Sequence, residues 1–251
     1  MKKEQKKTLG RIAAVVCGVG LIVLILQAAG MIRRNAVVFP GAGEIAEAFL
    51  RLMGEGKTWR MIGTTALHTL EALAGAMVIG ILIGIGEGIS EWFHSFLKPL
   101  MTMIRSMPMI VLVIVIMVTI QYKAVPATAA AVLLIPMISE AVYQGWREIP
   151  RELTDVYRLN GGLSFTVVKD VYLPMISGYL KQAFINAAGT GLKVAVSAEY
   201  LVQAKDSLGK AIYSSSYFNE YAEIYAYALI MVGLILLITE VPVFFLRRGE
   251  E

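Results

Sequence analysis

Catalysis needs nucleophiles, bases or metal ligands at workable spacings, and this 251-residue chain offers few of them. Its two histidines, His68 and His94, belong to no HExxH or similar ligand pattern. Its one cysteine, Cys17, sits inside an apolar run. A lone cysteine builds neither a disulfide framework nor a cysteine metal site within one chain. A phosphate loop of the form GxxxxGK[ST] is absent, since Gly209-Lys210-Ala211 lacks both the first glycine and the hydroxyl. No GxSxG, no ordered Ser/His/Asp set and no paired catalytic carboxylates occur. The chain does not read as an enzyme, and any ATP it uses must be bound by another chain.

It does hold polar residues in apolar surroundings. Plotted at about 100° per residue, Gln182, Asn186, Lys193 and Ser197 fall within one narrow sector, with Thr190 at its edge. Ala183, Ala187, Gly191 and Ala195 form a ladder of small residues on another side, ending at Glu199. Polar groups in hydrocarbon are costly and face the bundle interior or a water-filled path. The stripe is therefore a candidate substrate pathway. The plainer alternative is that Gln182 and Asn186 bridge helices while Lys193 snorkels to the interface. Arg105, beside Pro108, is a further pathway candidate for an anionic solute; it could equally reach lipid headgroups or cap a broken helix. Glu199 reads either as a buried, paired acid or as a gating contact.

The elements that carry these residues follow from composition. The chain is 57% hydrophobic and 17% charged, whereas a soluble domain is about a quarter charged. Several apolar runs reach the roughly 20 residues needed to cross a bilayer. The expected spans are about 12–30, 64–87, 100–120, 124–144, 175–202 and 221–246, giving an all-α, six-span membrane protein in one domain. The first run follows five basic residues and is longer than a signal-peptide core, so it reads as an uncleaved span. Residues 39–60 read as an amphipathic interfacial helix, with Ile45, Ala48, Phe49 and Leu52 on one face. In the second span Ala72, Ala76, Gly80, Gly84 and Gly88 recur every four residues, a pattern that lets another backbone come close. Residues 89–99 read as a loop, and Pro108 should kink the third span.

Lys and Arg number 12 on the side of the termini and 8 on the other, with 3 more inside spans. Positive residues prefer the cytoplasm, which places both termini there. The net charge of +4 belongs to these flanks and is no nucleic-acid patch. Tyrosines and Phe218 gather where the last two spans meet the outer surface, as an aromatic belt does, the alternative being a docking surface for an external partner.

Residues 146–174 gather charge, glycine and proline between apolar segments. Pro150 suits the first position of a helix running to Leu159. Asn160-Gly161-Gly162 ends it, and Ser164 can cap a second short helix from Phe165 to Tyr172. Such an element has no use to lipid and is a surface offered to a partner.

This loop resembles the cytoplasmic motif of ABC-importer permeases, E-A-A-x3-G-x9-I-x-L-P. Gly161 is followed after nine residues by Val171-Tyr172-Leu173-Pro174, while Asp155-Val156-Tyr157 keeps only the acid of the first half. Flanking stretches from Phe39, Ile104 and Ser197 resemble the nitrate/sulfonate/taurine/bicarbonate branch, so the similarity runs from about residue 38 to 248. It implies the type I permease fold, in the bacterial inner membrane. A coupling helix at 150–159 would dock on a separate cytoplasmic ATPase dimer that binds ATP and magnesium, no cofactor being held by this chain. Leu153, Val156 and Tyr157 would be its apolar anchor and Asp155 a rim contact, with Asn160 and Gly161 at the turn and Leu173 and Pro174 closing the motif. A second permease copy or sister subunit and an external binding protein would complete the importer. The rival is an ion-coupled secondary transporter or channel using Lys193 and Glu199.

Overall fold

A computed structural model describes residues 40–150, 152 and 164–248. Among them every regular element is helical and there is no strand. The helices are α1 (Ala42–Gly54), α2 (Gly56–Ile89), α3 (Glu91–Ser106), α4 (Met109–Thr119), α5 (Val125–Arg147), α6 (Ser177–Val202), α7 (Leu208–Tyr217) and α8 (Tyr221–Arg248). The chain divides into two compact units. One comprises 40–58 with Ile212–Ile230, the other Trp59–Ala211 with 231–248.

In the smaller unit Glu44 reaches back to the Gly41 N–H at 3.0 Å and caps α1. Ala48 and Leu52 are buried, as the helical spacing predicts. α1 stops at Gly54, and residues 56–60, expected to continue it, belong to α2 instead. Glu223 accepts hydrogen bonds from Arg51 and from the Ser215 hydroxyl, tying α1 to the start of α8 within this unit.

The larger unit is built on α5. The small-residue ladder of α2 lies against it in register. A Cβ on Gly80 would stand 2.8 Å from Ile138 Cβ, and one on Gly84 would stand 2.6 Å from both the Ser139 carbonyl oxygen and Val142 Cβ. At Gly88 it would enter the Trp146 indole. Two helices thus match four-residue periods, 80/84/88 on 138/142/146, which is ridge-into-groove packing at its closest. The same row of α5 also meets the second ladder: Ala187, Gly191 and Ala195 on α6 are buried, and a Cβ on Gly191 would meet Leu134 at 3.0 Å. Leu134, Ile138 and Val142 are fully enclosed between the two.

Three described helices are long and apolar enough to cross a bilayer: Gly56–Ile89, Tyr122–Arg147 and Tyr221–Thr239. α6 is long enough at 26 residues, but its polar stripe keeps it outside that group. The third expected span is broken at Pro108. Residues 91–106 and 109–119 form separate helices whose axes differ by 105°, and the presumed loop over 89–99 is helical from Glu91. Ser90 caps that helix by accepting the Phe93 N–H at 3.2 Å. Pro108 explains the break, because its ring removes an amide donor and clashes with the preceding turn. α4 alone, at 11 residues, covers about 16 Å of a hydrocarbon core of about 30 Å. The expected first span lies outside the described residues.

The α2–α5 register is testable by adding one methyl group. Gly84→Ala should lower the thermal midpoint in detergent by several degrees, since overpacking costs about 1–3 kcal/mol. Gly75→Ala, with nothing within 4 Å of the added carbon, should leave it level or raise it. Equal midpoints for the two variants would exclude the close contact.

Candidate functional site

α6 carries the expected stripe in one piece. Gln182, Asn186, Thr190, Lys193 and Ser197 are all exposed, while Ala183, Ala187, Gly191, Ala195 and Glu199 behind them are buried. Within the stripe Gln182 donates to the Asn186 side-chain oxygen at 3.0 Å, and the Ser197 hydroxyl donates to the Lys193 carbonyl at 2.8 Å. Lys193 enters no ion pair among the described residues. α6 thus has one close-packed face and one exposed polar face.

Glu199, at the end of the small ladder, is fully buried and is the knot of this region. One carboxylate oxygen accepts the Thr65 hydroxyl at 2.8 Å and the Gly209 N–H at 3.1 Å. The other lies 2.7 Å from His68 Nδ1; with Glu199 ionised that nitrogen donates. Thr65 also receives the Leu208 N–H at 3.0 Å. The first amides of α7, which no helical carbonyl can satisfy, are therefore held by two side chains from other helices. Gln203 turns the chain between α6 and α7 in the left-handed conformation, with φ of 51°. Gly209 has no room for a side chain, since a Cβ would press on Glu199 and stand 2.6 Å from the Tyr200 nitrogen. Thr65 and His68 were not foreseen as partners of Glu199. They lie 134 and 131 residues away in the chain, and no local pattern connects them.

Arg105 does not join the α6 stripe. Its guanidinium donates to the Pro136 carbonyl and lies 3.6 Å from Glu140, in a cavity of about 330 Å³ that no α6 residue lines. Among the residues expected to couple to a partner, Leu153, Asp155, Val156, Tyr157, Asn160 and Gly161 lie outside the described residues. Leu173 and Pro174 are described. Ser164 caps the short helix Phe165–Val167 by accepting the Val167 N–H at 3.3 Å. A π-turn over Val168–Tyr172 leads into Leu173–Met175. The wider turn relieves the clash of the Pro174 ring with the carbonyl four residues back. Leu173 packs on the α5 core and Pro174 is exposed. Tyr172 is buried and stacks on Trp146 at 4.3 Å between ring centres.

Residues 76–248 match the family model of the binding-protein-dependent transport system inner membrane component. The chain belongs to that family. It is the membrane-embedded permease component of an ABC importer, and the ATPase is a separate subunit. A comparison with the curated proteins returned no match. Two solved structures share the fold. One shows inward-facing conformations of the MetNI methionine ABC transporter, at 22% identity and a TM-score of 0.64, over 75% of this chain and 94% of that one. The other is a bacterial ABC transporter involved in the import of the acidic polysaccharide alginate, at 13% identity and 0.66, over 98% of each chain.

The Glu199 knot gives its own test. Glu199→Ala removes the acceptor of the Thr65 hydroxyl and the Gly209 N–H, and should cost about 1–3 kcal/mol of stability. The Leu208 and Gly209 amides should then exchange hydrogen faster than in the parent. Unchanged exchange at these two amides would show that the carboxylate does not hold α7.

Proposed function

We propose that this permease belongs to the nitrate/sulfonate/taurine/bicarbonate branch and moves a small anionic solute into the cytoplasm through a path lined by the α6 stripe. The observation that carries this reading is the unbroken exposed row Gln182, Asn186, Lys193 and Ser197, which holds a single cation. A buried small ladder fixes the helix from behind and leaves that row to face a cavity shared with a second copy or a sister subunit. Arg105 is left out of this path, since it lies among other residues. Six spans put both termini in the cytoplasm, where residues 146–174 meet the ATPase dimer that binds ATP and magnesium. Closure of that dimer drives the permease from inward- to outward-facing, and an external binding protein delivers the solute.

In proteoliposomes with the ATPase and the binding protein, Lys193→Ala and Asn186→Ala should each lower uptake about tenfold, the loss expected for one charge-assisted hydrogen bond. Full uptake by both variants would remove the stripe from the path. Gly161→Val tests coupling separately: hydrolysis of ATP should continue while uptake stops. Uptake that follows an ion gradient and ignores ATP would favour the secondary transporter.

A further inference from the structure

The bend before α4 creates a polar cavity that solute transport leaves unused. α3 has two unlike faces. Trp92, Phe96, Leu100 and Met103 are all exposed, at spacings of four, four and three, and the two aromatic rings stack at 5.4 Å. Such a stripe on an amphipathic helix sits in the membrane interface with its apolar face toward the acyl chains. The 105° bend agrees, because a helix so inclined to α4 lies along the membrane plane when α4 runs into the bilayer. The opposite face of α3, about one helix diameter away, then stands at headgroup depth. There Lys98 and Arg105 form a wall of the cavity of about 330 Å³, closed by Tyr143 and Arg147 of α5.

The charges in this cavity are unequally matched. Glu140 faces Arg105 at 3.6 Å, and Glu87 faces His94 Nδ1 at 3.6 Å. That second distance is too long for a hydrogen bond, and His94 Nδ1 is buried without a hydrogen-bond partner. Neither Lys98 nor Arg147 enters an ion pair among the described residues. Arg147 is steered into the mouth by Tyr143, lying 5.8 Å from the ring centre and donating to its hydroxyl at 3.4 Å. Three fixed cations against two carboxylates leave one net positive charge with His94 neutral. Glu91, on the adjoining rim, disfavours a dianion.

We propose that this cavity binds a singly charged phosphate diester, presented by the headgroup of an anionic phospholipid, with Lys98 and Arg147 as its ligands. A headgroup held here would brace α3 against the end of α5, at the point where the chain leaves for the cytoplasmic loop. The inference rests on the chain being membrane-embedded and not on the solute pathway.

The full-length chain in nanodiscs of equal phosphatidylglycerol and phosphatidylcholine, released into native mass spectrometry, reads the site directly. The parent should retain phosphatidylglycerol preferentially. Lys98→Gln and Arg147→Gln should each lower that preference about fivefold, the usual contribution of one basic residue near an anionic surface, while Lys98→Arg keeps it. No preference in the parent, or one that survives both glutamine substitutions, would overturn the site. Soluble glycerophosphoglycerol binding to lipid-free protein, with the same loss in the variants, would keep the phosphate chemistry and assign it to a free anion. Phosphatidylcholine retained equally with the thermal midpoint unchanged would show only adventitious lipid.

Discussion

The larger unit depends on two helix backbones lying closer than side chains would allow. Gly80, Gly84 and Gly88 accept Ile138, Val142 and Trp146 of α5 at distances where a methyl group would collide with backbone or branched carbons. Inside a bilayer apolar surface gains nothing by leaving lipid for protein, so association rests on dispersion and fit. Dispersion falls steeply with separation, so close approach is the available source of stability. The same logic repeats one turn earlier on α5, where Gly191 of α6 admits Leu134. One row of α5 side chains, Leu134 to Trp146, thus meets small residues from two helices.

That arrangement frees the remaining face of α6. A helix held by its ladder of Ala183, Ala187, Gly191 and Ala195 does not need its polar residues for packing. Gln182, Asn186, Lys193 and Ser197 can then face outward without loosening the helix. Glu199 completes the attachment by a different means. Its carboxylate joins α2 to the first amides of α7, so charge and helix termini do at one end what small residues do along the length. Such a fully satisfied buried carboxylate is a structural fastener; partly satisfied, it would be costly.

The legible parts were those written in short-range periodicity. Both small ladders and the polar stripe repeat every three or four residues, and the structure places each on a single helix face. The burial of Ala48 and Leu52 followed from the same spacing. What escaped was set by distance or by angle. The partners of Glu199 come from a helix more than 130 residues earlier, and nothing local marks Thr65 or His68 as acceptors of that role. Pro108 announced a break but not its size, because a missing amide fixes where a helix fails and tertiary packing fixes where the next one points. Arg105 was grouped with the stripe because both are polar in apolar company. Its position at the end of α3, just before the 105° bend, puts it beside Glu140 instead.

One chain of contacts joins the segment before α6 to the packed helices of the larger unit. Tyr172, in the second half of the loop, stacks on Trp146 at the end of α5. Trp146 in turn fills the place where Gly88 lacks a side chain, so no slack separates α2, the end of α5 and the loop. Ile176 and Ile149, both buried in the same cluster, close the joint from either side. Rigid interiors transmit displacement because they have few voids to absorb it. Leu134, in the same cluster, extends this packing to the ladder side of α6. Residues 172–176, the α2–α5 pair and the ladder side of α6 thus share one close-packed cluster, and the polar face of α6 is carried on the far side of it.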